Sequence, residues 1–339
     1  MLIYDRIKIL LKYTLPFLLS LLLLYLAFKG LNFAEFYEKL KSTSYFYLIL
    51  LVISTIFSHW IRAYRWKIIL QKQKNISTLN AFKSLLIGYA FNCVIPRSGE
   101  VTRSFVLGMD EKLSKSVIIG SVILERVFDM IIFIISILIS LIILGEKIYT
   151  QIPSLKYSLY IILLLLIIFI LFVYQLQKYE KLKEKLFSIL NFIKNESTRE
   201  KIKTIINKIL IGFASINSWK EFFVILFYSI VLMLIYGFNA YLGFFTINIF
   251  YISYSQAYAI MSIGAIGVFI PTPGGVGSFH IMTNIVLNNI IGLSLLVSLT
   301  YSFVMHMVGY IIQLILGIVF YINFHYNHKD KKLKDILKI

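Results

Sequence analysis

Long apolar runs recur along the chain, separated by shorter segments that are rich in lysine and arginine. Each run is close to the length of about 20 residues that an α-helix needs to cross the hydrocarbon core of a bilayer. The pattern predicts an all-α, polytopic membrane protein with about six full transmembrane helices. The predicted crossings are residues 13–28, 45–61, 127–144, 157–174, 222–245 and 294–322.

The basic segments predict an orientation, because lysine and arginine are enriched in cytoplasmic loops. Segment 175–220 alone holds ten basic residues against four glutamates. We expect both chain termini to be cytoplasmic in a multi-pass protein of the cell (inner) membrane, with run 13–28 retained as a signal anchor. The basic segments are 1–12, 62–83, 175–220 and 325–339.

Two further segments, 84–116 and 254–292, are interrupted in the middle by proline and glycine. The orientation requires each of them to cross the membrane an even number of times. Their short arms favour re-entrant hairpins, one entering from the cytoplasmic face and the other from the outer face. Two short full crossings in each segment are the alternative. Broken segments at corresponding positions of two inverted halves indicate the binding site of a transporter.

Composition narrows the class of function. The 339 residues are 59% hydrophobic and carry a formal net charge of +18, with a mean hydropathy of +0.83. Because the positive charges flank apolar runs, we predict contact with anionic lipid and not with nucleic acid. Segment 175–210 alternates apolar and charged residues like an amphipathic helix on the inner leaflet.

Motifs for catalysis, metals and cofactors are missing from the sequence. The lone Cys93 has no partner for an intramolecular disulfide or a cysteine-based metal site. The five histidines form no HExxH motif, and the chain has no phosphate-binding P-loop and no dinucleotide fingerprint. We therefore predict no catalytic residues, no metal and no cofactor.

The first polar cluster surrounds the break in segment 84–116. If the chain is helical after Pro96, then Arg97, Glu100 and Arg103 share one broad face. Their guanidinium groups could bind a phosphate, with Glu100 orienting them or carrying a proton. The alternative is that both arginines extend to the membrane interface while Glu100 neutralises them.

The second cluster is Glu125, Arg126 and Asp129, at the predicted entrance to a long helix. Glu125 and Asp129 are four residues apart on one helix face, which is unfavourable unless they share a cation or a proton. Arg97 or Arg103 could supply the cation. Two interpretations are open: the cluster forms a buried ion-pair network between hairpin and helix, or it contacts the substrate directly.

The third cluster contains His59, Arg62, Arg65 and Trp66, where the predicted crossing 45–61 leaves the membrane. Aromatic residues beside basic residues commonly anchor a helix at the membrane interface. We therefore prefer anchoring over substrate binding for this cluster.

These motifs, in chain order, resemble the flippase-like family named for the lysylphosphatidylglycerol synthase transmembrane region. The resemblance rests on IRAYRWKIIL, IGYAFNCVIPRSGEVTRSFVLG, SVILERVFDM and GVFIPTPGGVGSFH and covers nearly the whole chain. It implies a lipid-translocation site, although His280 stands near a position where many relatives have glutamate. The matched motif residues are Arg62, Arg65, Trp66, Asn92, Pro96, Arg97, Gly99, Glu100, Arg103, Glu125, Arg126, Asp129, Pro271, Pro273, Gly274, Gly275 and Gly277.

The leading hypothesis is a flippase-like transporter that moves an anionic phospholipid or a polyprenyl-phosphate-linked lipid between leaflets. Arg97 and Arg103 would bind the phosphate, and the glycines after Pro273 would present free N–H groups to it. The alternative is an accessory subunit of a separately encoded glycosyltransferase or lipid-modifying enzyme. A third hypothesis, an intramembrane enzyme that uses Glu100, Glu125 or Asp129 as acid or base, lacks a nucleophile.

We expect one flippase-like domain, without the aminoacyl-transferase domain of the synthase. The candidate partners are membrane lipids with anionic headgroups, a lipid-modifying enzyme and a second copy of the chain. The predicted parts of the domain are an N-terminal half (1–174), a basic amphipathic segment (175–220), a C-terminal half (221–324) and a basic tail (325–339).

Overall fold

The computed structural model describes residues 2–145 and 218–328, the segments 179–192, 195–200 and 202–204, and isolated positions between 157 and 175. In these residues every regular element is helical, which confirms the predicted all-α class. The helices are α1 (Leu2–Phe28), α2 (Phe33–Lys41), α3 (Tyr45–Leu70), α4 (Thr78–Val94), α5 (Gly99–Glu111), α6 (Lys115–Ile143), α7 (Glu180–Ile189), α8 (Trp219–Thr246), α9 (Tyr254–Gly264), α10 (Ser278–Asn284) and α11 (Leu295–Asn327).

Polar side chains cap several of these helices where loops meet them. Each cap accepts a hydrogen bond from a backbone N–H in the first turn, which would otherwise have no partner. Ser253 and Gln256 form a reciprocal capping box at the start of α9. The other side-chain caps are Asn32 of α2, Ser218 of α8 and Ser294 of α11.

Four of the described helices, α3, α6, α8 and α11, are long and apolar enough to span a membrane. A fifth span results if α1 and α2, which are bent by 88° at their junction, are counted together. The predicted crossings in these regions are confirmed as helices. The predicted crossing 157–174, most of segment 175–220 and the tail after 328 lie outside the described residues.

Two helices are longer than their apolar runs. The predicted crossing 45–61 continues to Leu70 in α3, and the predicted crossing 127–144 begins at Lys115 in α6. The predicted ends were wrong because both extensions carry charged side chains, which end an apolar run in the sequence. In the fold Arg62 and Arg65 of the first extension pair with Glu125 of the second inside the bundle, so these charges do not end the helices.

The ends of the bundle are defined by neighbouring helix termini. The amide of Ser44, before α3, donates to the carbonyl of Thr246 at the end of α8. We call this the opposite end, and the end that holds Leu70, Trp219 and Asn327 the basic end. Lysines 67, 72, 74, 83, 112 and 220 lie in the segments at the basic end.

The first hairpin, residues 78–111, consists of α4, a break at residues 95–98 and α5. At its base, Asp110 lies 3.6 Å from His328, just after the end of α11. At its tip, the Tyr310 hydroxyl donates to the carbonyl of Cys93 over 3.4 Å. With 17 residues, α4 is about 25 Å long. The first hairpin therefore enters from the basic end and turns back halfway along α11.

The second hairpin, residues 254–291, enters from the opposite end. Its base follows Ile252, which packs with Ile249 and Leu293 in one apolar cluster. Its arms are α9 with a 3₁₀ turn (Ala265–Phe269), and α10 with a π-helical turn (Ile285–Ile291). The turn between the arms contains three glycines with positive φ: Gly274, Gly275 and Gly277.

The tips of the two hairpins meet near the middle of the bundle. The Arg97 guanidinium donates to the carbonyl of Phe269 over 3.4 Å. His306 and Tyr310, in the middle third of α11, contact the second and the first tip respectively. The two broken helical hairpins therefore enter the bundle from opposite ends and meet tip to tip, as the predicted inverted pair of re-entrant hairpins requires.

Close contact between Gly88 and Gly99 holds the arms of the first hairpin together. A Cβ atom at Gly99 would lie 2.4 Å from the Gly88 carbonyl oxygen and 2.5 Å from Asn92 Nδ2. We expect Gly99→Ala to lower the free energy of unfolding in detergent micelles by about 1–3 kcal/mol through overpacking. Gly120→Ala is the matched control, because a Cβ there meets nothing within 4 Å and alanine favours a helix by roughly 0.5–1 kcal/mol. Equal effects of the two substitutions would contradict the close contact.

Candidate functional site

Glu125 lies at the centre of a cluster of charged side chains and has no solvent exposure. Arg62 Nε donates to one carboxylate oxygen over 2.9 Å. Arg103 Nη1 donates to the other over 3.0 Å. Arg65 Nη2 lies 3.4 Å from the first oxygen. Three guanidinium groups from α3 and α5 therefore surround one carboxylate of α6.

Asp129, one helical turn after Glu125, binds the same α3 arginines. Arg65 Nη2 donates to Asp129 Oδ1 over 2.6 Å, and Arg62 pairs with Asp129 Oδ2. Arg65 also donates to the Ser229 hydroxyl on α8 over 2.7 Å. The Glu125–Asp129 pair, which was predicted to need a shared cation, therefore has two, and both come from α3.

The rim of the cluster is partly open to solvent or lipid. Arg126 pairs with Glu100 at 3.2 Å, and their side chains are 39% and 34% exposed. Arg126 also lies 3.8 Å from Asp129 Oδ2. We call the seven residues the charge cluster: Arg62, Arg65, Glu100, Arg103, Glu125, Arg126 and Asp129.

Within the described residues, the charge cluster has an excess of positive charge and several unpaired hydrogen-bond donors. Its four guanidinium groups exceed its three carboxylates by one positive charge. Several buried donors have no hydrogen-bond partner among the described residues: Nε of Arg65 and Arg126, and Nε and Nη2 of Arg103. Buried donors normally find an acceptor, so these N–H groups are exceptions, and of the four only Arg126 Nε belongs to the partly exposed rim.

The predicted interfacial anchoring of Arg62, Arg65 and Trp66 is wrong. Arg65 and Trp66 are at most 1% exposed, and Trp66 Nε1 donates to Ser121 on α6 over 2.9 Å. The Trp66 ring also lies 4.7 Å from the Arg103 guanidinium, within the range of a cation–π contact. Arg65 and Trp66 follow Arg62 by three and four residues and therefore share one face of α3 with it. This face is covered by α5 and α6, so the side chains of Arg65 and Trp66 are buried.

Glu125 and Arg103 also differ from their predicted positions. Glu125 lies well inside α6 and not at the entrance to a helix. The buried ion-pair network between hairpin and helix, one of the two open interpretations, is present in the structure. Arg103, a predicted phosphate ligand, is committed to Glu125 and 1% exposed, so its observed role is to hold α5 against α6.

Arg97 stands apart from the charge cluster. It lies in the break before α5 with a φ of 63°, so it does not share a helical face with Glu100 and Arg103 as was expected. Its side chain is exposed, and it forms no salt bridge with the described carboxylates. Arg97 is separated from Glu100 and Arg103 because α5 begins only at Gly99. Just before α5, the Ser98 amide donates to the carbonyl of Ile95 and closes a turn.

The remaining motif residues shape the two tips. Asn92 Oδ1 accepts a hydrogen bond from the Gly99 amide over 2.6 Å, which supports the turn. Gly275 N–H donates to Thr272, and Gly277 N–H donates to His280. The expectation that the glycines keep free N–H groups for an anion is therefore wrong for Gly275 and Gly277. Pro273 is buried, and the carbonyl of Gly274 accepts from His306 over 2.9 Å.

His280 lies in a buried aromatic pocket and is 1% exposed. Its ring centroid is 5.8 Å from that of Phe28 and 4.8 Å from that of His306. The sequence reasoning missed His306, which is a polar residue within an apolar span. Polar side chains within apolar spans often mark functional positions, so the sequence contained a signal for His306.

Replacing Glu125 by glutamine should be strongly destabilising. The substitution leaves Arg103, Arg62 and Arg65 with a neutral partner in a buried site, and breaking a buried pair costs about 3–5 kcal/mol. Glu38→Gln is the control, because its pair with Lys41 is exposed and contributes roughly 0–1 kcal/mol. The measurement is the free energy of unfolding of each variant in micelles. An effect of Glu125→Gln no larger than that of Glu38→Gln would show that the network does not stabilise the fold.

Comparison with known proteins places the chain in a family. The model of the lysylphosphatidylglycerol synthase TM region matches residues 13–317, which is well over half of the chain. A search of curated proteins and a search of solved structures each gave no significant match. The family description refers to the transmembrane part of the synthase and not to its catalytic part. The chain therefore belongs to the lysylphosphatidylglycerol synthase transmembrane region family, a lipid-related, flippase-like family of multi-pass membrane domains.

Proposed function

We propose that the protein moves a lipid with an anionic phosphate headgroup between the two leaflets, along a charged surface at mid-depth. The observation that carries the proposal is the position of Arg97. This exposed guanidinium lies at the meeting point of the two hairpin tips and has no carboxylate partner among the described residues. A charged side chain at such depth is costly, so it is retained where it binds something.

The surface around Arg97 suits an amphiphilic ligand. Glu100 follows Arg97 by three residues and pairs with Arg126 on the exposed rim of the charge cluster. We call Arg97, Glu100 and Arg126 the polar strip. Exposed apolar residues adjoin it in the chain or, for Phe269, in the contact with Arg97: Val101 (68%), Met130 (53%) and Phe269 (54%). A headgroup can contact the charges while acyl chains stay beside the apolar side chains.

The chemistry of the strip favours phosphate. A guanidinium group donates two parallel hydrogen bonds to phosphate oxygens and stays charged at every physiological pH. In the structure Arg97 donates instead to the Phe269 carbonyl over a long 3.4 Å. A phosphate is a stronger acceptor than a carbonyl, so its arrival would replace that contact and separate the two tips.

The broken backbone supports movement across the membrane. Irregular backbone within the membrane is tolerated where protein buries it or where it lines an aqueous cavity. Here two irregular tips, at residues 95–98 and 270–277, face each other from opposite ends of the bundle. When the two tips separate, the polar strip connects the basic end of the bundle with the opposite end.

We expect Arg97→Ala to slow lipid exchange between leaflets by about tenfold or more, because hydrogen bonds to charged groups contribute ~1.5–3 kcal/mol. The assay is reconstitution in liposomes that contain a labelled anionic phospholipid, with empty vesicles as the baseline. Lys41→Ala is the matched control, since it also removes one exposed positive charge but lies away from both tips.

Exchange at the empty-vesicle rate by the unmodified chain would contradict the proposal. That outcome, together with a stable co-purifying enzyme, would favour an accessory subunit. Equal rates for Arg97→Ala and the unmodified chain would show that Arg97 does not bind the headgroup. Comparison of phosphatidylglycerol with a polyprenyl phosphate in the same assay identifies the preferred lipid class.

A further inference from the structure

His280 and His306 form a pair of imidazoles where the second hairpin packs against α11. The ring centroids are 4.8 Å apart, and the rings are tilted by 58°. His280 is buried, and His306 is half-buried. Neither residue belongs to the charge cluster or to the polar strip around Arg97.

Hydrogen bonds to the backbone determine where each neutral ring carries its proton. The Gly277 amide donates to His280 Nδ1 over 3.4 Å, so the proton of His280 is on Nε2. His306 Nε2 faces the carbonyl oxygen of Gly274 at 2.9 Å, so His306 carries its proton there and Nδ1 is a bare acceptor.

The two remaining nitrogens are one donor and one acceptor, and both are buried without a partner among the described residues. A donor N–H on His280 and an acceptor nitrogen on His306 are complementary. The two rings are neighbours, with centroids 4.8 Å apart. This combination of one donor and one acceptor exists only when both rings are neutral.

Among the described residues, the surroundings of the pair offer no charge to balance a proton. Phe28 of α1 and Phe279 of α10 pack against the rings. Tyr310 of α11 stacks on His306, and Cys93 of α4 lies beside Gly274. Among the described residues, the titratable group that contacts the pair is thus Tyr310, with Cys93 next to the Gly274 backbone, and both are neutral at pH 7.

We propose that His280 and His306 are a proton-binding site that couples proton uptake to release of the second hairpin tip from α11. A proton on His280 Nδ1 removes the acceptor of the Gly277 amide. A proton on His306 Nδ1 turns its acceptor into a donor that opposes the His280 N–H. Either event also leaves a buried charge without a counter-ion, which is unfavourable.

The released tip tolerates the proton, because water then reaches the imidazole. An imidazole in water titrates near pH 6.5, within the physiological range. The tip is therefore packed against α11 at higher pH and released as the pH falls. The step from release to proton-driven lipid movement rests on the proposed function, whereas the proton site does not.

Accessibility of a buried cysteine tests the release. In a Cys93→Ser background, Ser278→Cys places a thiol at a position with no exposure. Tyr251→Cys, at a position 69% exposed, corrects for the effect of pH on thiol reactivity. We expect the corrected rate of labelling by a methanethiosulfonate reagent to rise by about tenfold between pH 8 and pH 5.5 for one bound proton, because the imidazole titrates near pH 6.5 once the tip is released.

Two isosteric variants isolate the proton from the packing. His280→Asn keeps an acceptor for the Gly277 amide, and His306→Gln keeps a donor for the Gly274 carbonyl, but neither side chain titrates. We expect each variant to retain the thermal stability of the parent, and the double variant His280→Asn/His306→Gln to lose the pH dependence of labelling. A corrected rate that does not change with pH in the parent chain would overturn the proposal, and so would pH dependence that persists in the double variant.

Lipid exchange under an imposed pH gradient separates this proposal from the proposed function. We expect the gradient to accelerate exchange by the parent chain and not by the double variant His280→Asn/His306→Gln. Exchange that ignores the gradient in the parent chain would overturn proton coupling while leaving lipid movement intact. Labelling that responds to pH without any lipid exchange would instead overturn the proposed function and support the proton site.

Discussion

The buried carboxylate of Glu125 constrains the arrangement of the helices around it. A carboxylate without solvent contact costs several kcal/mol unless cations and hydrogen bonds compensate it. Here the compensation comes from Arg62 and Arg65 on α3 and from Arg103 on α5. Displacement of either helix relative to α6 would leave a charge unpaired, so the three helices are held in one register.

This register also determines where the first hairpin ends. Arg103 ties the returning arm of the hairpin to α6, while Gly88 and Gly99 bring the two arms into backbone contact. The tip therefore stops beside Tyr310, in the middle of α11. The second hairpin reaches the same depth from the other end, and the two irregular segments cover each other. That mutual cover is what makes broken backbone tolerable within a membrane.

The two hairpins are held by different chemistry. The first is held by ion pairs between guanidinium and carboxylate groups, whose charges do not change near neutral pH. The second is held by two neutral imidazoles and aromatic packing, and imidazole titrates in that range. A change in pH therefore acts on one tip and leaves the other in place. Arg97 is also separate from the charges that stabilise the fold, because no carboxylate among the described residues pairs with it.

The sequence by itself determined the helical class, the existence of two broken segments and their entry from opposite ends. Apolar length, proline and glycine are local properties, so they can be recognised without knowing the fold. The same local reasoning misplaced the ends of α3 and α6, because a charged residue in the sequence does not show whether a partner will neutralise it. It also assigned Arg103 to phosphate and Trp66 to the interface.

Only the tertiary structure decided which charged residues are structural and which remain exposed. Arg97 and Arg103 are six residues apart and chemically identical, yet one is exposed at a tip and the other is buried against Glu125. Their roles depend on where α5 begins and on what α6 places opposite it. Likewise, His306 acquires a partner only when the second hairpin folds back onto α11. The burial and pairing of a charge are properties of neighbours distant in the chain, and these neighbours are set by packing.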